Sequence, residues 1–244
     1  YNRVYPPEVV AKYGDISNWR NAVGTGPFML TDYVPSSQLA YTRNPSYWGT
    51  NTVGPGKGDK LPYVDAYKEL IIPDVSTRIA ALRVGKLDFM AGVTLDDWKS
   101  LTKTNPNFEY NNYMSTNPWV IGMRTDKKDK PYADVRVRQA LMYATNFDSI
   151  KNDYFQGQAE INVFPVNRQV TDLYQPLSAM PQSVQDLFKY NPDKARQLLK
   201  DAGYPNGFKS TVIVSSVPQR SIDDLSVFKD MWSKVGVQID ISVK

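Results

Sequence analysis

The chain has no cysteine and no histidine. Without cysteine there are no disulfides, no thiolate metal site and no cysteine nucleophile. Without histidine the chain lacks the commonest general base, the Ser-His-Asp triad and the usual zinc ligand. Both absences point away from acid–base catalysis, so no catalytic residue, no metal ligand and no cofactor is expected. Long apolar runs are missing too: none approaches the roughly 18–20 residues that would span a bilayer. Nor is there a basic stripe. The 29 basic and 25 acidic residues are interspersed, and Lys127, Lys128 and Lys130 alternate with Asp126 and Asp129, as on a solvated loop. A nucleic-acid partner, which calls for clustered positive charge, is not expected. The chain starts at Tyr1 without a methionine or an export signal, and the expectation is that its natural start has been removed.

What is present is an ordinary globular composition: 244 residues, 41% hydrophobic and 22% charged, enough for one large or two small domains. Pro6 and Pro7 open a short helix, Glu8 to Tyr13, which Gly14 stops. Phe28 to Val34 and Gln38 to Arg43 read as strands joined by Pro35-Ser36-Ser37. Thr50 to Lys60, rich in Gly, Pro and Lys, reads as an exposed loop. A strand from Tyr67 to Ile72 precedes a helix capped by Asp74 and closed by Gly85, and a short strand is expected at Leu87 to Met90. Thr94 caps a further helix that carries Leu95, Trp98 and Leu101. Alternation of this kind argues for an α/β layer.

Phe108 to Arg124 is a long, aromatic, strand-like run, interrupted at Asn117-Pro118, and the crossover between domains is placed there. Asp134 caps a helix with Val137, Ala140, Leu141 and Ala144 on one face and Arg136, Arg138 and Gln139 outside it. A helix from Phe147 to Phe155 follows, then a loop-rich stretch, Ala159 to Pro181. Asn191-Pro192 starts a helix that buries Ala195, Leu198, Leu199 and Ala202 and ends at Gly203. The chain closes with a strand (Phe208 to Ser215), a helix (Ser221 to Val235) and a strand at Val237 to Val243 with one wet face.

Few constellations invite chemistry. Gly24-Thr25-Gly26 lacks the Lys-Ser/Thr of a phosphate loop and the third glycine of a dinucleotide loop. It also precedes a strand, so it reads as a backbone turn using positive φ. Asp96-Asp97 and Asp223-Asp224 are sequence neighbours, about 100° apart on a helix, and do not converge; they read as helix-start residues. Trp48, at the end of the first hairpin, reads as structural. The aromatics Tyr110, Tyr113 and Trp119, with Ser115, Thr116 and Asn117 between them, are the more interesting set. Such a mixture suits either a packed strand or a binding cleft in which an extended peptide adds as a strand, and the residues leave both readings open.

Five segments occur in a telling order: VGTGPF (Val23–Phe28), RNPSYWG (Arg43–Gly49), IPDVSTRIAALRVGKLD (Ile72–Asp88), DVRVRQALMYATNFDSI (Asp134–Ile150) and NPDKARQLLKDAGYPNG (Asn191–Gly207). Together they resemble the extracellular solute-binding proteins of family 5, the oligopeptide- and dipeptide-binding subunits of ABC transporters. The resemblance spans the chain from about Pro7 to its end. It implies a two-lobed α/β fold of the periplasmic-binding-protein type II class, present here as a partial chain. Residues 1–112 would form part of the first lobe and 113–244 part of the second. It implies a non-enzymatic importer component that binds peptides between two lobes and delivers them to permease subunits. It also implies a place at the periplasmic or extracellular face of the membrane, with a lipid anchor outside this chain. Such families carry the acidic partner of the ligand's amino terminus in a later segment, so no residue here takes that role. The ligand-binding residues implied are Tyr113, Thr116, Asn117 and Trp119, in the stretch that resembles the strand bordering the cleft. Asn117-Pro118 departs from the family's uninterrupted tyrosine-rich run. Alternatives are an oligosaccharide or a metal chelate on the same fold, a purely structural interaction module and, more distantly, a hydrolase.

Overall fold

The computed structural model describes residues 5–15, 17–114, 119–163, 168–215 and 220–244. The chain divides into two compact units, Tyr1–Tyr110 and Asn111–Lys244.

The first unit opens with helix α1 (Pro7–Tyr13), which has proline in its first turn and is stopped by Gly14 at φ 80°. Three strands follow: β1 (Phe28–Val34), β2 (Gln38–Arg43) and β3 (Ala66–Leu70). They form an antiparallel sheet in the order β1-β2-β3. Its apolar face is aromatic. Tyr41 and Tyr67 are direct cross-strand partners, their rings stacked with centroids 4.5 Å apart, and Phe28 meets Tyr67 edge-on at 4.8 Å. Cross-strand aromatic pairs of this kind set register as well as adding stability. Between β2 and β3 the loop is knitted by one side chain: Asn51 Nδ2 donates to the Pro55 carbonyl (3.0 Å) and the Tyr63 hydroxyl (2.9 Å). Helices α2 (Val75–Arg83) and α3 (Leu95–Thr104) complete the unit. Their caps are the expected ones: Asp74 accepts from the Thr77 N–H at 2.7 Å and Thr94 from the Asp97 N–H at 3.2 Å.

One expectation here fails. Leu87–Met90 forms no strand, and Phe89 is 81% exposed. A strand exists only where a neighbour takes up its backbone groups, and among the described residues none pairs with this segment. The alternation expected around α2 is therefore not an α/β unit; β3 belongs to an antiparallel meander instead.

The second unit carries the larger core. Helix α4 (Val135–Tyr143) buries Val137, Ala140 and Leu141 completely, as the stripe predicted. The arginines outside the stripe are also used. Arg136 pairs with the cap residue Asp134 at 2.6 Å and donates to the Asp201 carbonyl at 2.7 Å, while Arg138 donates to the Tyr132 carbonyl at 2.6 Å. After α4 come α5 (Phe147–Ser149), which continues as a π-helical turn over Ile150–Tyr154, a 3-10 turn at Leu177–Ala179 and α6 (Gln182–Leu187). The expected single helix from Phe147 to Phe155 is thus mostly π-helical.

Helix α7 (Pro192–Asp201) then packs against α4, its first residue preceded by the Asn191 cap, whose side chain accepts from the Lys194 N–H. Arg136 reaches the carbonyl end of α7, where a cation is favoured by the helix dipole and the unsatisfied carbonyls. Strand β4 (Phe208–Val214), helix α8 (Arg220–Ser233) and strand β5 (Val237–Val243) form a βαβ unit in which β4 and β5 pair in parallel. Val237 and Ile239 are buried while Gln238 and Asp240 are exposed, the alternation of a strand with one wet face.

At the start of both strands the backbones almost touch. Gly207 (φ 74°) lies against Gly236 (φ 89°), and a Cβ built on Gly207 would collide with the Gly236 carbonyl. Two independent constraints thus demand glycine at the end of NPDKARQLLKDAGYPNG. Gly207→Ala should lower unfolding free energy by about 2 kcal/mol or more, through strain and displaced backbone together. Urea unfolding of the variant, compared with the open-sided Gly122→Ala, is the check; equal midpoints would refute the constraint.

Candidate functional site

Of the four residues expected to bind ligand, the structure places Tyr113 and Trp119; Thr116 and Asn117 lie outside the described residues. Tyr113 is 75% exposed and Trp119 42%. The run that holds them was expected to be a strand, but its described residues are not paired in a ladder. They are held by side chains from the following loops. Gln169 Nε2 donates to the Met114 carbonyl, and Asn112 Nδ2 donates to Gln158 Oε1 at 3.2 Å. Nearby, Arg168 pairs with Glu160. That hydrogen bond pushes the guanidinium pKa further up, so Arg168 is charged at neutral pH.

Strand character survives as alternation. Ile121 and Met123 pack on the core of the second unit, while Val120, Gly122 and Arg124 are exposed. Trp119 falls in the same phase as Ile121 and Met123, and its ring rests on Phe228 of α8 with centroids 5.1 Å apart and planes 25° apart. Phe228 in turn meets Trp232 edge-on at 5.8 Å. Trp232 is buried, and its Nε1 donates to the buried Thr145 hydroxyl at 3.0 Å; that hydroxyl donates to the Leu141 carbonyl at 2.8 Å. An exposed tryptophan is therefore tied, ring by ring, to the most buried part of the unit.

The other aromatics separate. Tyr110 belongs to the first unit and packs edge-on against Trp98 of α3 at 5.2 Å. Trp48, expected to be structural, is 79% exposed, and its ring lies tilted to that of Tyr47 with centroids 5.8 Å apart. The reason lies one residue on. A Cβ at Gly49 would stand 2.6 Å from the Tyr47 ring, so Tyr47 folds over Gly49 and Trp48 is left outside. Gly24 and Gly26 do not take positive φ as expected; the turn is held instead by Asn44, whose Nδ2 donates to the Gly26 carbonyl at 3.0 Å. Asp97 accepts from the Thr94 hydroxyl at 2.7 Å, as a helix-start residue should. Among the described residues there is no group of three or more acidic side chains that could hold a metal ion, and no helix is long and apolar enough to cross a membrane.

Sequence reasoning missed Phe228, Gln158 and Gln169. Phe228 carried a signal, the inward stripe of α8, but nothing in that stripe says that it supports Trp119. The glutamines sit in loops without periodicity.

The family model for bacterial extracellular solute-binding proteins, family 5 (middle region), matches residues 3–244. The chain belongs to this family. Its members are binding proteins, extracellular or periplasmic in location. Heme-binding protein A of Haemophilus influenzae is 30% identical over 220 residues, which is 88% of this chain and 36% of that protein. The dipeptide-binding protein of Escherichia coli is 30% identical over 227 residues, 91% of this chain and 38% of its own. The chain therefore spans little more than a third of these relatives. Among solved structures, the periplasmic binding protein DppA of Helicobacter pylori, in complex with the peptide STSA, superposes with a TM-score of 0.66. It is 26% identical to this chain and covers 91% of it, and 39% of the Helicobacter chain is matched. The fold is thus the α/β, type II periplasmic-binding-protein fold, represented by a portion of it.

The tie beneath Trp119 is testable. Thr145→Val keeps the shape but leaves the Trp232 N–H buried without an acceptor, a loss of about 1–3 kcal/mol. Thr145→Ser should retain most of the stability. Denaturant unfolding that ranks valine equal to serine would show the bond to be idle.

Proposed function

We propose that the chain is part of the solute-binding component of an ABC importer, a component that binds peptides and delivers them to permease subunits without transforming them. Residues 1–112 are assigned to the first lobe of that protein and 113–244 to the second. Its place of work is the periplasmic or extracellular face of the membrane, with any lipid anchor outside these residues. The observation that carries the reading is Trp119: a large ring left partly exposed yet fixed from beneath by Phe228, in a chain of this family. A ring immobilised before the ligand arrives loses little entropy on binding, which is what an anchor requires. Tyr113, exposed nearby in sequence, would add a second contact, and Thr116 and Asn117 the polar groups that orient a peptide backbone.

A relative named for heme supports a second reading, since a flat ring also suits a porphyrin. Peptide is favoured because two of the three similar proteins, the dipeptide-binding relative and the peptide-bound Helicobacter structure, are described with peptides, against one named for heme.

A thermal shift of the full-length, ligand-free protein with a pool of short peptides decides between them. Ligand at 100 times its Kd stabilises the folded state by about 2.7 kcal/mol, a clear rise in Tm. A rise with peptides and none with hemin supports peptide import; a rise with hemin alone overturns it. Trp119→Ala should then weaken peptide binding by more than about 1 kcal/mol. Unchanged affinity in titration calorimetry would remove Trp119 from the site.

A further inference from the structure

Trp119 offers a ligand only one of its two faces, because the other is covered. Phe228 lies almost parallel to it, and Phe228 cannot tilt freely, since its own ring is braced edge-on by Trp232. Trp232 is fixed in turn by the buried bond to Thr145. Trp119 has no strand pairing of its own, and the support the structure shows for its ring is Phe228. Resting on the reading of Trp119 as a ligand contact, we propose that Phe228 is a positioning residue. Through Trp119 it holds a one-sided stacking face that selects peptides carrying an aromatic side chain. Phe228 itself touches no ligand; its ring is half-buried between two tryptophans. The preference follows from ring electrostatics: an offset aromatic ring gains more on a fixed flat face than an aliphatic side chain of similar area.

The probes are the tripeptides Ala-Phe-Ala and Ala-Ala-Ala, titrated into the full-length protein. Phe228→Leu keeps an apolar filler but removes the flat support. It should weaken Ala-Phe-Ala about 2- to 10-fold, the range of an aromatic pair, and leave Ala-Ala-Ala unchanged. Phe228→Tyr keeps the ring and should restore the wild-type preference. In a Trp119→Ala background, Phe228→Leu should have no further effect, the signature of action through a single partner. An equal loss for both peptides, a loss in Phe228→Tyr as large as in Phe228→Leu, or a full further loss in the Trp119→Ala background each overturns the proposal. Acrylamide quenching of Trp119, taken as the difference between each protein and its Trp119→Phe counterpart, needs no ligand. It should rise in Phe228→Leu and not in Phe228→Tyr; equal quenching in the two overturns the positioning role. If the wild-type protein binds neither peptide, it is the peptide reading that falls; if Trp119→Ala binds as well as wild type, Trp119 is no ligand contact and the selectivity proposal falls with it. The quenching comparison then still decides whether Phe228 sets the ring.

Discussion

The second unit hangs on a hydrogen bond between two side chains that lie far apart in sequence, the indole of Trp232 and the hydroxyl of Thr145. Around it the packing is almost wholly apolar: Val137, Ala140, Leu141 and Ala144 from α4 and its C-cap, Ala195 and Leu199 from α7, Val237 and Ile239 from β5. Apolar contacts of this kind tolerate rotation and sliding, because the hydrophobic effect has no direction. The polar bond does have one. With both partners buried, any arrangement that separates them leaves a donor without an acceptor, so α8 has one permitted rotation over the end of α4. That rotation sets Phe228 at the edge of the core, half-buried between Trp232 and Trp119. The plane of an exposed ring is thereby set by a hydroxyl deep inside the unit.

What the sequence disclosed and what it hid divide along the distance over which each interaction acts. Helix starts at Asp74, Thr94, Asp134 and Asn191 were legible because a cap bonds within three residues of itself. The β1–β2 hairpin and the β4–α8–β5 unit were legible from their alternation and turns. The segments at Leu87–Met90 and Phe108–Arg124 have strand-like composition, but a strand also needs a neighbour, and no local pattern supplies one. The π-helical turn at Ile150–Tyr154 likewise has no mark in the local sequence pattern, which reads as an ordinary helix. At the candidate site, Trp119 could be picked out by its chemistry. Its support could not, since Phe228 looks like any inward residue of an amphipathic helix until the two rings are seen to stack.

The family is one of binding proteins, and catalysis sets demands that binding does not. A general base must reach a nucleophile, and a metal needs converging donors. Three of the carboxylates named in the sequence serve their helices: Asp74 and Asp134 cap them, and Asp97 accepts from Thr94. Hydrogen bonds from Thr77 to Asp74 and from Arg136 to Asp134 hold both cap carboxyls below their usual pKa, so each is charged at neutral pH and serves its helix.

A flat ring is also an unselective surface, and this bears on how one scaffold serves relatives named for ligands as unlike as a dipeptide and a heme. Stacking distinguishes flat from bulky, and apolar from charged, but not one flat group from another. Finer choice requires polar groups, because leaving a buried donor or acceptor unpaired is what rejects a wrong ligand. In the site proposed above the two tasks would fall to different parts of the chain. The ring rests on the helical layer through Phe228, whereas the carbonyl of Met114 accepts from a loop glutamine, Gln169. Substitutions in such loops alter polar recognition without disturbing the core, so ligand identity can drift while the stacking platform and the fold beneath it persist.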